Sequence, residues 1–388
     1  MNLRLDKLGV IIALLIAYGA LVAPFATFRA NRIVPGDAKP ILEALPSGMG
    51  IIFLSLMLAA AALILLKTPA LLRLLASSFG VVAVVLFIGM TVTYLTPAEN
   101  TYARVSPASG FWILLFAYAL LAADSITRLK PRPIVRVLLL AITLGGAAVV
   151  LMSGLWDGLS ILKEYAGRAD VFWTEASRHV ALALGSLLGS VVAGLPLGIF
   201  CHRVAPLRAG VLNTLNLIQT IPSIALFGIL IAPLGWIAAN VPGAAAIGIR
   251  GVGAAPAFVA LFLYSLLPVV ANTVVGLAGV PREANEAARG IGMTDRQRLF
   301  RVELPLALPV ILTGIRIVLV QNIGLATIAA LIGGGGFGVF VFQGIGQTAT
   351  DLVLLGAVPT VVLAFAAAIV LDALIEMNAP LQNRGRTA

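Results

Sequence analysis

Residues able to do chemistry are scarce in this chain. The densest group is Glu286-Ala-Ala-Arg-Gly-Ile-Gly292, followed after nine residues by Val302-Glu-Leu-Pro305. It sits in a polar, charged island from Arg282 to Pro305 between two long apolar runs. Pro281 can start a helix, because its missing N–H would be unpaired in the first turn anyway. Glu283 and Glu286 then fall near the positive end of the helix dipole. Ala284, Ala287, Ala288 and Ile291 put a small, smooth face along one side, suited to close approach by a partner groove. Gly290 and Gly292 let the helix stop and the chain turn. A second helix is expected over about 295–304, capped by Thr294 or Asp295. It carries a Leu299/Val302 stripe and a cationic face of Arg296, Arg298 and Arg301. These residue types offer docking, not bond-making.

A second group consists of polar residues inside apolar runs, where they are costly and usually face the protein interior. They are Asn213, Asn216, Gln219 and Thr220, then Asn272 and Thr273, then Gln321, Asn322 and Thr327. Asn213, Asn216 and Thr220 are three and four apart and share one helix face. Pro222 loosens the backbone ladder beyond them. From this group Asn216, Gln219, Thr220, Asn272, Gln321 and Asn322 are candidates to line a path, against the alternative that they join helices. The aromatic rings of Phe227, Trp236, Tyr264 and Phe337 could hold a quaternary ammonium. Arg316 is the one basic residue within a span, placed to snorkel to an interface.

Catalytic signals are missing. No G-x-x-x-x-G-K-[ST] occurs, so no nucleotide hydrolysis is expected on this chain. Gly333-Gly-Gly-Gly-Phe-Gly338 formally matches a dinucleotide fingerprint but follows no soluble strand, and reads as a glycine-rich turn. His179 and His202 lie apart and no His/Cys cluster offers a metal site. The single cysteine, Cys201, excludes an internal disulfide framework. No cofactor or metal is expected.

The elements that position these residues follow from composition. Sixty per cent of residues are hydrophobic and 11% are charged, and the mean hydropathy is +1.06. Soluble domains carry about 25% charged residues. Ten apolar runs are long enough to cross a bilayer: roughly 8–28, 46–66, 77–96, 110–127, 134–152, 173–200, 210–235, 255–280, 306–332 and 351–376. They show no period-2 alternation, so the expected fold is all-α and polytopic rather than a barrel. The first run has a basic start like a signal peptide but no clear small-x-small cleavage site, and is read as an uncleaved span.

The net charge of +10 does not point to nucleic acid. With the N-terminus inside and sides alternating, 17 basic residues fall in cytoplasmic segments, eight outside and one in a span. The positive-inside rule therefore puts both termini and the Glu286 loop in the cytoplasm.

Residues 1–154 form an expected five-span N-terminal extension with no evident chemistry. Residues 155–172 are an external linker, with Leu155, Leu159, Leu162 and Ala166 at helical spacing, as in an amphipathic helix lying in the interface. Residues 173–376 hold five spans with the loop 281–305, and 377–388 are a cytoplasmic tail.

Over roughly 170–376 the chain resembles the permeases of binding-protein-dependent ABC importers. The resemblance rests on Glu286-Ala-Ala, Gly292 and Leu304-Pro305, with Val302 where Ile is usual. The runs Gln219-Thr-Ile-Pro-Ser-Ile-Ala-Leu-Phe-Gly228 and Val302-Glu-Leu-Pro-Leu-Ala-Leu-Pro-Val310 are similar to the osmoprotectant branch, which takes glycine betaine and choline. The resemblance implies that Glu286, Ala287, Ala288, Gly292 and Pro305 couple the spans to an ATPase. It also implies two ATPase subunits, a second permease chain, a periplasmic or lipoprotein solute-binding protein, and a bacterial inner membrane. An importer permease for another small polar solute remains open, as do two other classes. An ion-coupled secondary transporter would need an acidic residue near a span's midplane, and none is evident. A membrane scaffold would recruit a partner without transport.

Overall fold

In lipid every backbone polar group must be satisfied within its own segment, and the long Leu, Ala and Val runs become helices accordingly. The computed structural model describes residues 6–378 apart from Ile33 and Ala98. The expected tail lies outside the described residues from 379 onward. Nine described helical stretches are long and apolar enough to cross a membrane. The first run is the exception. It forms a helix of 15 residues, Lys7–Leu21, about 22 Å long at 1.5 Å per residue.

The chain divides into two units: Met1–Val135 with Ala141–Gly167, and Arg136–Leu140 with Arg168–Ala388. In the first, the order is α1 (Lys7–Leu21), β1 (Ala26–Arg29), β2 (Asp37–Lys39), α2 (Ile41–Ala44), α3 (Ser47–Leu65), α4 (Ala70–Leu95), β3 (Arg104–Pro107), α5 (Ser109–Leu129), α6 (Pro133–Met152) and α7 (Ser160–Ala166). Phe25, Phe53 and Phe87 form its aromatic centre, with ring centroids 5.2 and 4.5 Å apart along that sequence. Tyr118 donates its hydroxyl to Met57 Sδ at 3.2 Å beside them. By contrast α6 buries none of its residues.

One end of this unit carries a small antiparallel sheet in the order β2-β1-β3, with Ala26 opposite both Lys39 and Pro107. Strands of three and four residues are too short to show alternation, so they were invisible beside the spans. The segment after α6 also differs from the amphipathic surface helix expected over 155–172. Leu159 is fully buried and bridges Val105, and only 160–166 is helical before the next span begins at Ala169. Beside Leu159, Glu164 is buried and pairs with Arg104 at 2.9 Å and Arg32 at 3.1 Å.

At the opposite end of these helices, Asp6 caps α1 by accepting from the Leu8 and Gly9 amides, each at 3.1 Å. It also accepts from Arg73 Nη1 at 2.5 Å and Arg128 Nη2 at 3.0 Å. Burial would raise this carboxyl. The Gly9 amide and the two guanidiniums outweigh it and bring the pKa down to about 2.

The second unit runs α8 (Ala169–Arg203), α9 (Ala205–Thr220), α10 (Ser223–Ile229), α11 (Ile231–Asn240), α12 (Ala254–Ala278), α13 (Arg282–Gly290), α14 (Asp295–Arg298), α15 (Leu304–Ala326), α16 (Gly338–Gly346) and α17 (Thr350–Asn378). Helices α8, α12 and α15 pack together, with α9 against α12 and α17 against α15. The expected seventh span, 210–235, is a broken element. Pro222 cannot donate a backbone hydrogen bond, so the helix stops at Thr220 and the membrane-length stretch is Ser223–Asn240. Arg316 does not snorkel alone; it pairs with Asp372 of α17 at 2.9 Å.

Candidate functional site

The polar island folds into two helices joined by a short turn, and each end of the turn is locally determined. Helix α13 starts after Pro281 and ends in a Schellman motif. Met293 N donates to Ala288 O at 3.1 Å and Gly292 N to Arg289 O at 2.9 Å. Gly292 occupies the left-handed position with φ +80°, which a side chain adopts only at a cost. Gly290 has no such conformation. Next, Thr294 accepts from Gln297 N at 3.3 Å while Gln297 Oε1 accepts from Thr294 N at 2.9 Å. That capping box starts α14.

The alanine face is partly buried and partly exposed. Ala288 is 4% exposed, turned into its own chain, and Ala284 is half-buried. Glu286 and Ala287 are exposed, and Ile291 is 75% exposed. Phe300, also exposed, adds a second apolar side chain to the island. The free face is therefore Glu286, Ala287 and Ile291 rather than all four small residues. Pro305 is exposed at the start of α15.

Between α14 and α15 the chain makes a π-helical segment, Leu299–Glu303, which continues directly into the span. It turns Glu303 inward to 4% exposure. Glu303 Oε1 accepts from Arg298 Nε at 3.1 Å and Oε2 from Arg203 Nη2 at 2.7 Å. Arg203 is the last residue of α8, so this carboxylate ties the loop to a different span. Sequence reading gave neither Glu303 nor Arg203 a role in a site. An acid beside three arginines at a span's mouth was the available signal.

The candidate path residues separate into exposed and enclosed groups. Asn216 and Thr220 are exposed and Gln219 is half-buried on α9. Gln219 Nε2 donates to Tyr264 O at 2.7 Å, and the Tyr264 hydroxyl donates to Ile221 O. The carbonyl at the Pro222 break is thus satisfied by α12. Thr220 donates to Leu217 O at 2.7 Å within its own helix. Asn272 is half-buried and donates to Pro268 O at 2.8 Å, while Gln321 is half-buried on α15.

Asn322 is 0% exposed. Its Nδ2 donates to Ser186 Oγ and Ser265 Oγ, both at 2.9 Å. It joins α8, α12 and α15 and has no open side in this conformation. Tyr264, Phe227 and Phe337 are buried as well, and of the four candidate aromatics Trp236 alone is exposed.

These elements match known proteins in two segments. The pattern of the binding-protein-dependent transport system inner membrane component matches residues 185–383. The chain belongs to this family. A second pattern, the N-terminal domain of the ABC transporter permease YehY, matches residues 6–162. The osmoprotectant import permease protein OsmW of Salmonella typhimurium (strain LT2) is 45% identical over 196 residues, 50% of this chain and 83% of its own. The choline transport system permease protein OpuBB of Bacillus subtilis (strain 168) is 38% identical over 186 residues, 48% of this chain and 78% of its own. An inward-facing structure of the MetNI methionine ABC transporter is 22% identical, with TM-score 0.48, covering 54% of this chain and 97% of that chain.

The permease holds its glycine-rich turn with side chains that neither pattern covers. Gly336 N donates to Glu175 Oε2 at 2.6 Å and Phe337 N to His179 Nδ1 at 3.3 Å. The acceptor role of Nδ1 places the His179 proton on Nε2. Gly336 has φ +86°, and the turn's amides point at α8 because of it. Sequence reading left Glu175 at the start of a span and gave neither it nor His179 a role. The glycines alone do not say which helix receives their amides.

Proposed function

We propose that this permease is the membrane subunit of an ATP-driven importer for small osmoprotectants of the glycine betaine or choline type. The similarity to OsmW and OpuBB supports that solute class. One of two ATPase subunits would dock on the loop 281–305. A second permease chain, the same or different, would complete the path, and a binding protein would deliver solute on the outer side. The setting is a bacterial inner membrane with both termini cytoplasmic, as the distribution of basic residues favours.

The observation that carries the reading is the geometry of the loop. Glu286, Ala287 and Ile291 form a free ridge on a helix whose ends are set by the Gly292 motif and the Thr294 capping box. A rigid ridge can transmit ATPase closure, and the Glu303–Arg203 pair gives it a route into α8. Solute would pass the side of α9 that carries exposed Asn216 and Thr220 and half-buried Gln219. Asn272 and Gln321 stand half-buried on α12 and α15, and Asn322 ties these helices to α8.

The decisive experiment reconstitutes the complex and measures glycine betaine and choline uptake with ATPase association. Glu286→Arg should abolish both. Unchanged coupled uptake would remove the loop from the mechanism. Uptake that survives ATP depletion but collapses with the ion gradient would replace the whole reading with secondary transport.

A further inference from the structure

The sheet end of the first unit contains a cleft of about 660 Å³, a size typical of small-molecule sites. Three chain segments converge on it. One brings Asn31 and Arg32, the next Asn100, Tyr102 and Arg104, and the third Lys163 of α7. Among the described residues the lining includes three cations and no carboxylate. Glu164 lies behind them, 3% exposed at its side chain, bonded to Arg104 Nη1 at 2.9 Å and Arg32 Nε at 3.1 Å. One negative charge therefore orients two guanidiniums, and Lys163 adds a third positive charge to the lining.

Lys163 is anchored by the Ala103 carbonyl at 2.7 Å and the Thr101 carbonyl at 3.3 Å. Burial and the adjacent Arg104 charge lower its ammonium pKa. That like-charge strain is what an incoming anion relieves. Guanidinium forks match the oxygen pairs of carboxylate and phosphate.

We propose that this cleft binds a small oxyanion, a carboxylate or phosphate group, held by Arg32, Arg104 and Lys163. The group can come from a free solute or from the headgroup of an anionic lipid. The proposal concerns the first unit alone and does not depend on the transported solute.

The test uses the full chain in phosphatidylcholine nanodiscs and follows Tm. Citrate and inorganic phosphate are titrated separately, with ionic strength held constant by sodium chloride. A saturable rise in Tm with either anion supports a free solute. A rise on replacing phosphatidylcholine with phosphatidylglycerol, with loss of the citrate response, supports a headgroup. Arg32→Gln leaves Arg104 to pair with Glu164 and should weaken binding about tenfold, the loss expected for one charge-assisted hydrogen bond. Arg32→Lys keeps the charge, loses the fork and should also weaken binding; it serves if R32Q does not fold. The proposal is overturned if citrate, phosphate and phosphatidylglycerol do no more than chloride. A wild-type response in the Arg32 variants overturns it too.

Discussion

Glu303 and Arg203 meet at 2.7 Å across a separation of 100 residues, joining the 281–305 loop to the end of α8. The carboxylate is buried and also holds Arg298. Replacing it with Gln keeps the size and removes the charge. Glu303→Gln is expected to leave ATPase subunits bound while cutting solute uptake per ATP several-fold. Measuring ATPase rate and uptake on the same reconstituted sample checks this. Equal loss of both would mean that the residue only supports folding.

Gly292 holds φ +80° in open space, so any penalty there comes from backbone conformation and not from crowding. Gly292→Ala should cost about 1–2 kcal/mol at the turn. Asn tolerates this region better and should cost less. Co-purification of ATPase subunits should fall in the order Gly, Asn, Ala. A flat series would show that the turn does not set the ridge.

Asn322 joins Ser186 and Ser265 with no exposure. Asn322→Leu removes these bonds and leaves two serines that can still bond to the Leu182 and Leu261 carbonyls. The expected loss is about 0.6–1.7 kcal/mol, the range for hydrogen bonds between membrane helices. Unfolding of the full chain in detergent measures it. Asn216→Leu, on an exposed position, should leave stability unchanged and alter uptake instead.

The Asp6 carboxyl sits at about 2, below its ordinary 3.8, because Gly9, Arg73 and Arg128 overcome the opposing effect of burial. A depressed acid stabilises the fold above its unfolded pKa, and that contribution is lost as pH falls from about 4 toward 2. The shift corresponds to about 2 kcal/mol. Asp6→Asn should lower Tm at pH 7 and flatten its dependence between about pH 4 and pH 2. A variant with unchanged Tm at pH 7 would show that Arg73 finds another partner.

The helical, membrane-spanning class was legible in the runs themselves, because lipid admits few ways to satisfy a backbone. Each of the ten expected runs contains helix, although the first is short and the seventh breaks at Pro222. The turn at Gly292 was legible too, since a Schellman ending and a capping box are local, each formed within six residues. The strands around Ala26 were not. Their pairing partners are set by how α1, α4 and α5 bring chain ends together, which three or four residues do not encode alone.

Sequence alone determined what depends on neighbours along the chain: the spans, the capped loop helices and the positions of polar residues in apolar runs. Tertiary structure decided which of those residues face one another. Asn216 and Asn322 read alike as amides in apolar runs, yet one is exposed and the other fully enclosed. Glu303 gained a partner 100 residues away, and Glu175 gained one 161 residues away. A side chain's type fixes its hydrogen-bonding capacity, but only the packing of distant helices determines what fills that capacity.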